Sequence, residues 1–112
     1  MIKKIILSVC ISLTGFIFLT GETGSPGDPK PGKAIFEKNC TSCHGKKGEG
    51  LGPVARMPNF SDKVYQESRT NQQLFDKISG GGQGSGMPAW EKTLTIQDRW
   101  NAVAYIRTLA AH

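Results

Sequence analysis

Cys40-Thr41-Ser42-Cys43-His44 is the stretch on which the reading of this chain turns. Two thiols three positions apart can each add across a vinyl group of one porphyrin. The imidazole directly after the second thiol is then held under the ring, within reach of the iron. The pentapeptide is the attachment signature of one covalent haem c, with His44 as an axial ligand.

Other uses of the same three side chains fit less well. A structural zinc site needs four ligands, and past the leader the chain offers only Cys40, Cys43, His44 and the terminal His112. A thioredoxin-like dithiol opens a helix in a βαβ setting, whereas this pair follows a helical stretch and leads into a glycine-rich loop.

The iron's other face asks for a second ligand, and two methionines follow the motif. Met87 ends the run Gly-Gly-Gly-Gln-Gly-Ser-Gly-Met-Pro, in which five glycines between Gly80 and Gly86 let the backbone turn tightly and Pro88 fixes its direction afterwards. A glycine loop between two helices otherwise has little reason to end in Met-Pro. Met87 is therefore the expected sixth ligand. Met57, followed by Pro58, is the reserve candidate, with a core-filling role as its simpler reading.

The 112 residues allow one domain. Met1 to Lys4 is a short basic start and Ile5 to Leu19 carries no charge, the layout of a secretory signal peptide. The expected organisation is a signal peptide over 1–23, a flexible linker over 24–30 and a folded domain over 31–112. A retained leader, tethering the chain to a membrane through residues 5–21, is the alternative. Cys10 in the leader reads as buried and inert, so no pair of cysteines remains for a structural disulfide. A fold of about eighty residues buries proportionately little surface and benefits from a staple, which a covalent haem can be.

The formal charge is +5, and loss of Lys3, Lys4 and Glu22 with the leader leaves +4. The lysines are scattered and no nucleic-acid-binding module is present, so nucleic acid is not an expected partner.

Three helices are predicted. Pro31 to Asn39 places Ile35, Phe36 and Cys40 at helical spacing. Asn71 to Ser79 follows a Thr70/Gln73 capping box and stops at Gly80 to Gly82. Ile96 to about Ala111 follows Thr95 and Asp98, a second box. On it Ile96, Trp100, Val103, Ile106 and Ala110 form a broad apolar side, and Gln97, Asn101 and Thr108 a polar stripe. No alternating run is long enough for a strand, so the fold class is all-α.

On these residues the chain resembles the class I cytochromes c over essentially all of Lys30 to Ala111. Gly32 and Phe36 stand eight and four residues before Cys40, where family members carry a glycine and an aromatic at the crossing of first and last helices; Tyr105 looks like the aromatic partner. Gly50-Leu51-Gly52-Pro53 is similar to the family loop whose proline carbonyl orients the axial histidine, which implies that role for Pro53. Met87-Pro88-Ala89-Trp90 is close to a segment of many small bacterial members, with Trp90 either beside a haem propionate or packed in the core. The segment from Met57 to Arg69 matches no family pattern.

The resemblance implies three main helices around one haem. It implies a one-electron carrier with His/Met ligation, periplasmic or membrane-associated in a respiratory chain, that exchanges electrons with redox protein partners as donor and acceptor. It is not an enzyme in its own right, though it can be a subunit of an oxidoreductase complex. A haem-based ligand sensor or weak haem enzyme, with a labile sixth ligand, is the alternative.

Overall fold

The computed structural model describes residues 26–50, 57–82 and 86–111. Five α-helices follow one another: α1 Pro29–Asn39, α2 Thr41–His44, α3 Lys63–Glu67, α4 Asn71–Gly80 and α5 Ile96–Thr108, which tightens into a 3-10 turn over Leu109–Ala111. No strand occurs among the described residues. The neighbouring pairs in space are α1 with α5, α4 with α5, α1 with α2, and α3 with the terminal turn. None of the described helices is long and apolar enough to cross a membrane. The leader reading over 1–23, and with it the tether through 5–21, lies outside the described residues.

Helix α1 begins two residues before the expected Pro31. The Asp28 side chain accepts from the Lys30 amide at 2.9 Å, an N-cap, and Pro29 and Pro31 occupy first-turn positions where a missing N–H costs nothing. The Asp28 amide in turn donates to Asn101 Oδ1 on α5 at 2.9 Å. Residues Asp28 to Lys30, expected in the linker, are thus part of the helix and its cap.

Both capping boxes form. Thr70 Oγ1 accepts from the Gln73 amide at 3.0 Å and Gln73 Oε1 accepts from the Thr70 amide at 2.9 Å. Thr95 and Asp98 repeat the exchange at 2.9 and 3.1 Å. Each reciprocal pair satisfies two of the amides that a helix start leaves orphaned.

The core comprises Phe36, Phe60, Leu74, Ile78, Ala102, Val103 and Ile106, with Phe36 and Val103 fully enclosed. The apolar side assigned to the last helix needs correction. Ile96 is 64% exposed and does not join the apolar side, because it sits in the first turn, beyond the α1 crossing. Asn101, on the polar stripe, is buried there: its amide oxygen accepts from the Asp28 amide and from Gln97 Nε2. The close helix crossing removes water from that position, and the cap of α1 supplies the hydrogen bond.

Candidate functional site

Helix α2 is a single turn that follows α1 across one residue. The Cys40 amide donates to Phe36 O at 2.8 Å, closing α1, and Cys40 O accepts from the His44 amide at 2.9 Å, opening α2. Thr41 Oγ1 donates back to Glu37 O at 3.0 Å. Three-residue spacing on a helical turn puts Cys40 and Cys43 on one side of it. Both cysteines are free thiols, Cys40 half-buried and Cys43 exposed.

The His44 ring stacks on Phe60, with centroids 4.9 Å apart and planes 25° from parallel. Its Nδ1 is buried, and nothing among the described residues bonds it. Burial holds the imidazole pKa below its ordinary value, so the ring is neutral at neutral pH, the form that binds a metal. The Pro53 carbonyl expected to accept from this nitrogen lies outside the described residues.

The thiols also discriminate between chemistries. Burial, with Cys43 adding to it, pushes the Cys40 thiol up to about 11. A redox dithiol needs the opposite, a thiol lowered toward neutral pH. A thioether carries no charge, so burial does not penalise it. The two thiols, the neutral imidazole and the apolar core behind them therefore fit covalent haem. A separate cleft of about 510 Å³, lined among the described residues by Lys47, Glu49, Ser61 and Leu109, includes neither thiol nor the imidazole.

Met87 is half-buried against the core, as is Trp90. Their loop is held along the end of α4: the Gly82 amide donates to Met87 O at 3.2 Å, the Trp90 amide to Ile78 O at 2.9 Å and the Glu91 amide to Ser79 O at 3.1 Å. Gly81 is required here twice over. Its φ is +70°, and a Cβ would lie 2.6 Å from Met87 O. Met57 sits elsewhere, on the histidine side. Its Cγ lies 3.1 Å from where a Gly50 Cβ would be, and the Gly50 amide donates to His44 O at 2.7 Å.

Two residues of the 57–69 segment escape a reading of the sequence. Phe60 backs the imidazole, and Gln66, buried on α3, donates through Nε2 to Phe60 O at 2.8 Å and Ile106 O at 2.9 Å. Arg107 fastens Gln66 in turn, with Nη1 donating to Gln66 O at 2.6 Å and Gln66 Oε1 at 2.8 Å. A five-residue helix carries no periodic signal. The only local sign is Asp62, whose side chain accepts from the Val64 amide at 2.9 Å as an N-cap.

Residues 27–106 match the family model described as cytochrome C oxidase, cbb3-type, subunit III. Among curated proteins, the chain is 37% identical over 82 residues to the Cbb3-type cytochrome c oxidase subunit FixP of Bradyrhizobium sp., covering 73% of this chain and 28% of that protein. It thus spans little more than a quarter of the length of that relative. It is 26% identical over 97 residues to cytochrome c6 of Synechocystis sp., covering 87% of this chain and 78% of the other.

Among solved structures, cytochrome c6 from the diatom Phaeodactylum tricornutum superposes with a TM-score of 0.59 at 27% identity, covering 76% of this chain and 97% of that one. The KustC0563 c-type cytochrome superposes at 0.64 with 20% identity, covering 70% and 95%, a likeness of fold.

Proposed function

The chain belongs to the family of the cbb3-type cytochrome c oxidase subunit III, and we propose that it is a one-electron carrier whose haem c is bonded to Cys40 and Cys43 and ligated by His44 and Met87. The family's cofactor is a covalently attached haem c, and electron transfer rather than bond-making is its work. When bound, the haem supplies one-electron exchange between ferrous and ferric iron. The observation that carries the assignment of residues is the single turn that holds two free thiols and a half-buried, neutral imidazole together.

In this reading each residue has one task. Cys40 and Cys43 would hold the porphyrin edge. His44 gives Nε2 to the iron. Met87, carried on the loop fastened to α4, would supply its sulfur as the second ligand, and His/Met ligation would raise the potential and leave no coordination position for a substrate. Pro53 is assigned the histidine-orienting carbonyl, and Trp90 a place in the pocket wall. Phe36, Leu74, Ile78, Val103 and Ile106 keep water from the ring.

The folded part, assigned to 31–112 with its cap at Asp28, works outside the cytoplasm, released from or tethered by the 1–23 leader. Its donor and acceptor are redox proteins that meet it through small, transient interfaces. Oxidase assemblies like those of the FixP relatives are the first partners to test.

The test is an absorption spectrum of the purified oxidised protein, repeated for Met87→Ala. A far-red methionine–iron band that disappears in the variant supports the reading, and a high-spin spectrum of the unmodified protein overturns it in favour of a ligand sensor. Mass spectrometry of the mature N-terminus decides between release and tether.

A further inference from the structure

We propose that Phe60 is a positioning residue for the axial histidine: beside the hydrogen bond assigned to Pro53, its ring holds the plane of the His44 imidazole against rotation. The proposal rests on the reading of His44 as an iron ligand. An imidazole bonded through Nε2 can turn about the iron–nitrogen bond, and its angle decides which iron d orbital it overlaps. Something must fix that angle, most often a hydrogen bond from the ring's other nitrogen. That hydrogen bond is assigned to the Pro53 carbonyl, and across the face of the ring the described residues place Phe60, 4.9 Å away and within 25° of parallel.

The iron–nitrogen bond lies in the imidazole plane. Turning about it swings the plane away from parallel and drives one edge of the ring into Phe60. A near-parallel neighbour is therefore a stop against rotation in either sense, provided the neighbour cannot move.

Phe60 has little freedom to move. It is 5% exposed, edge-on to Phe36 at 6.4 Å and tilted against Tyr65 at 5.9 Å. Its amide donates to Gly48 O at 2.7 Å and its carbonyl accepts from Gln66 Nε2 at 2.8 Å. Gly48 approaches so closely that a Cβ there would meet Phe60 Cβ at 2.9 Å and Cδ2 at 3.0 Å. The support runs on through Gln66 to Arg107 on α5. The device thus spans the 57–69 segment, the last helix and the back of the imidazole.

Proton NMR of the oxidised, haem-loaded protein tests this, because the order and spread of the haem-methyl hyperfine shifts report the orientation of the axial ligands, and an unchanged Met87 methyl resonance assigns a change to the imidazole plane. Three variants are compared with the unmodified protein: Phe60→Leu, Phe60→Tyr, and Ala102→Gly as a core change. The expected result is a reordered or compressed methyl pattern in Phe60→Leu and an unchanged pattern in Phe60→Tyr. Ala102→Gly lowers the unfolding temperature and keeps the pattern. Phe60→Ile makes the same comparison if Phe60→Leu does not fold.

An unchanged methyl order in a folded variant without the aromatic ring, alongside strongly shifted His44 protons, overturns the proposal alone and makes Phe60 a core residue. Unshifted His44 protons in the unmodified protein overturn the axial assignment together with the proposal.

Discussion

Gly32 of α1 lies directly against the main chain of Asn101 on α5. A Cβ at Gly32 would overlap the Asn101 carbonyl oxygen and stand 2.6 Å from its carbon and 3.0 Å from Tyr105 Cβ. One turn on, Phe36 meets the Tyr105 ring at 5.4 Å. A glycine and an aromatic pair therefore set the helix separation on which the whole core depends.

Gly32→Ala forces α1 away from α5 and costs about 3 kcal/mol, the upper part of the range for overpacking a close contact. Gly80→Ala is the control. A Cβ at Gly80 meets nothing within 4 Å, so there the change is neutral or stabilises by about 0.5 kcal/mol. Denaturant unfolding of the two variants separates the outcomes, and equal midpoints contradict the crossing argument.

The proposed attachment uses both thiols. The double variant Cys40→Ala/Cys43→Ala is expected to lose all haem colour on a denaturing gel, while each single variant keeps at most one thioether. The staple argument adds that the double variant loses helix as well, read as lower far-ultraviolet ellipticity. Full ellipticity without haem contradicts that argument.

Gln66→Leu deprives the Phe60 and Ile106 carbonyls of their shared donor and Arg107 of an acceptor at Gln66 Oε1. Buried carbonyls left unpaired make this cost about 2 kcal/mol, although leucine matches glutamine closely in volume. Thermal unfolding measures it, and a loss below about 0.5 kcal/mol shows that the carbonyls find other partners.

What the sequence discloses and what it withholds divide along physical lines. The three main helices, both capping boxes and the Gly32/Phe36/Tyr105 crossing are encoded by periodicity, cap residues and glycine placement within short stretches. The attachment motif is equally local. Gln66 is different: its role comes from Ile106 and Arg107, forty residues away, and nothing in its own neighbourhood encodes them. Asn101 is alike. Its place on the polar stripe is legible, but its burial follows from the cap of α1, seventy-three residues earlier, brought against it. Phe60 could be read as apolar, but its stacking on His44 depends on how two loops meet.

Arg99 links the Met87 loop to the last helix. It is buried, with Nη1 donating to Ser79 Oγ at 2.5 Å and Nε to Thr95 O at 3.3 Å, and its guanidinium lies over the Phe75 ring at 5.0 Å. Ser79 lies in the last turn of α4, and its carbonyl accepts from the Glu91 amide, beyond Met87. Removing the guanidinium therefore loosens the end of α4 and with it the loop that carries Met87. Arg99→Met keeps most of the apolar stem and loses about 1.5 kcal/mol of charge-assisted and cation–π interaction. The expected signature is a widened gap between two transitions: the far-red methionine–iron band bleaches at a lower temperature, while the helix signal melts closer to its original midpoint. If band and helix signal fall together, Arg99 stabilises the fold as a whole and has no separate hold on the Met87 loop.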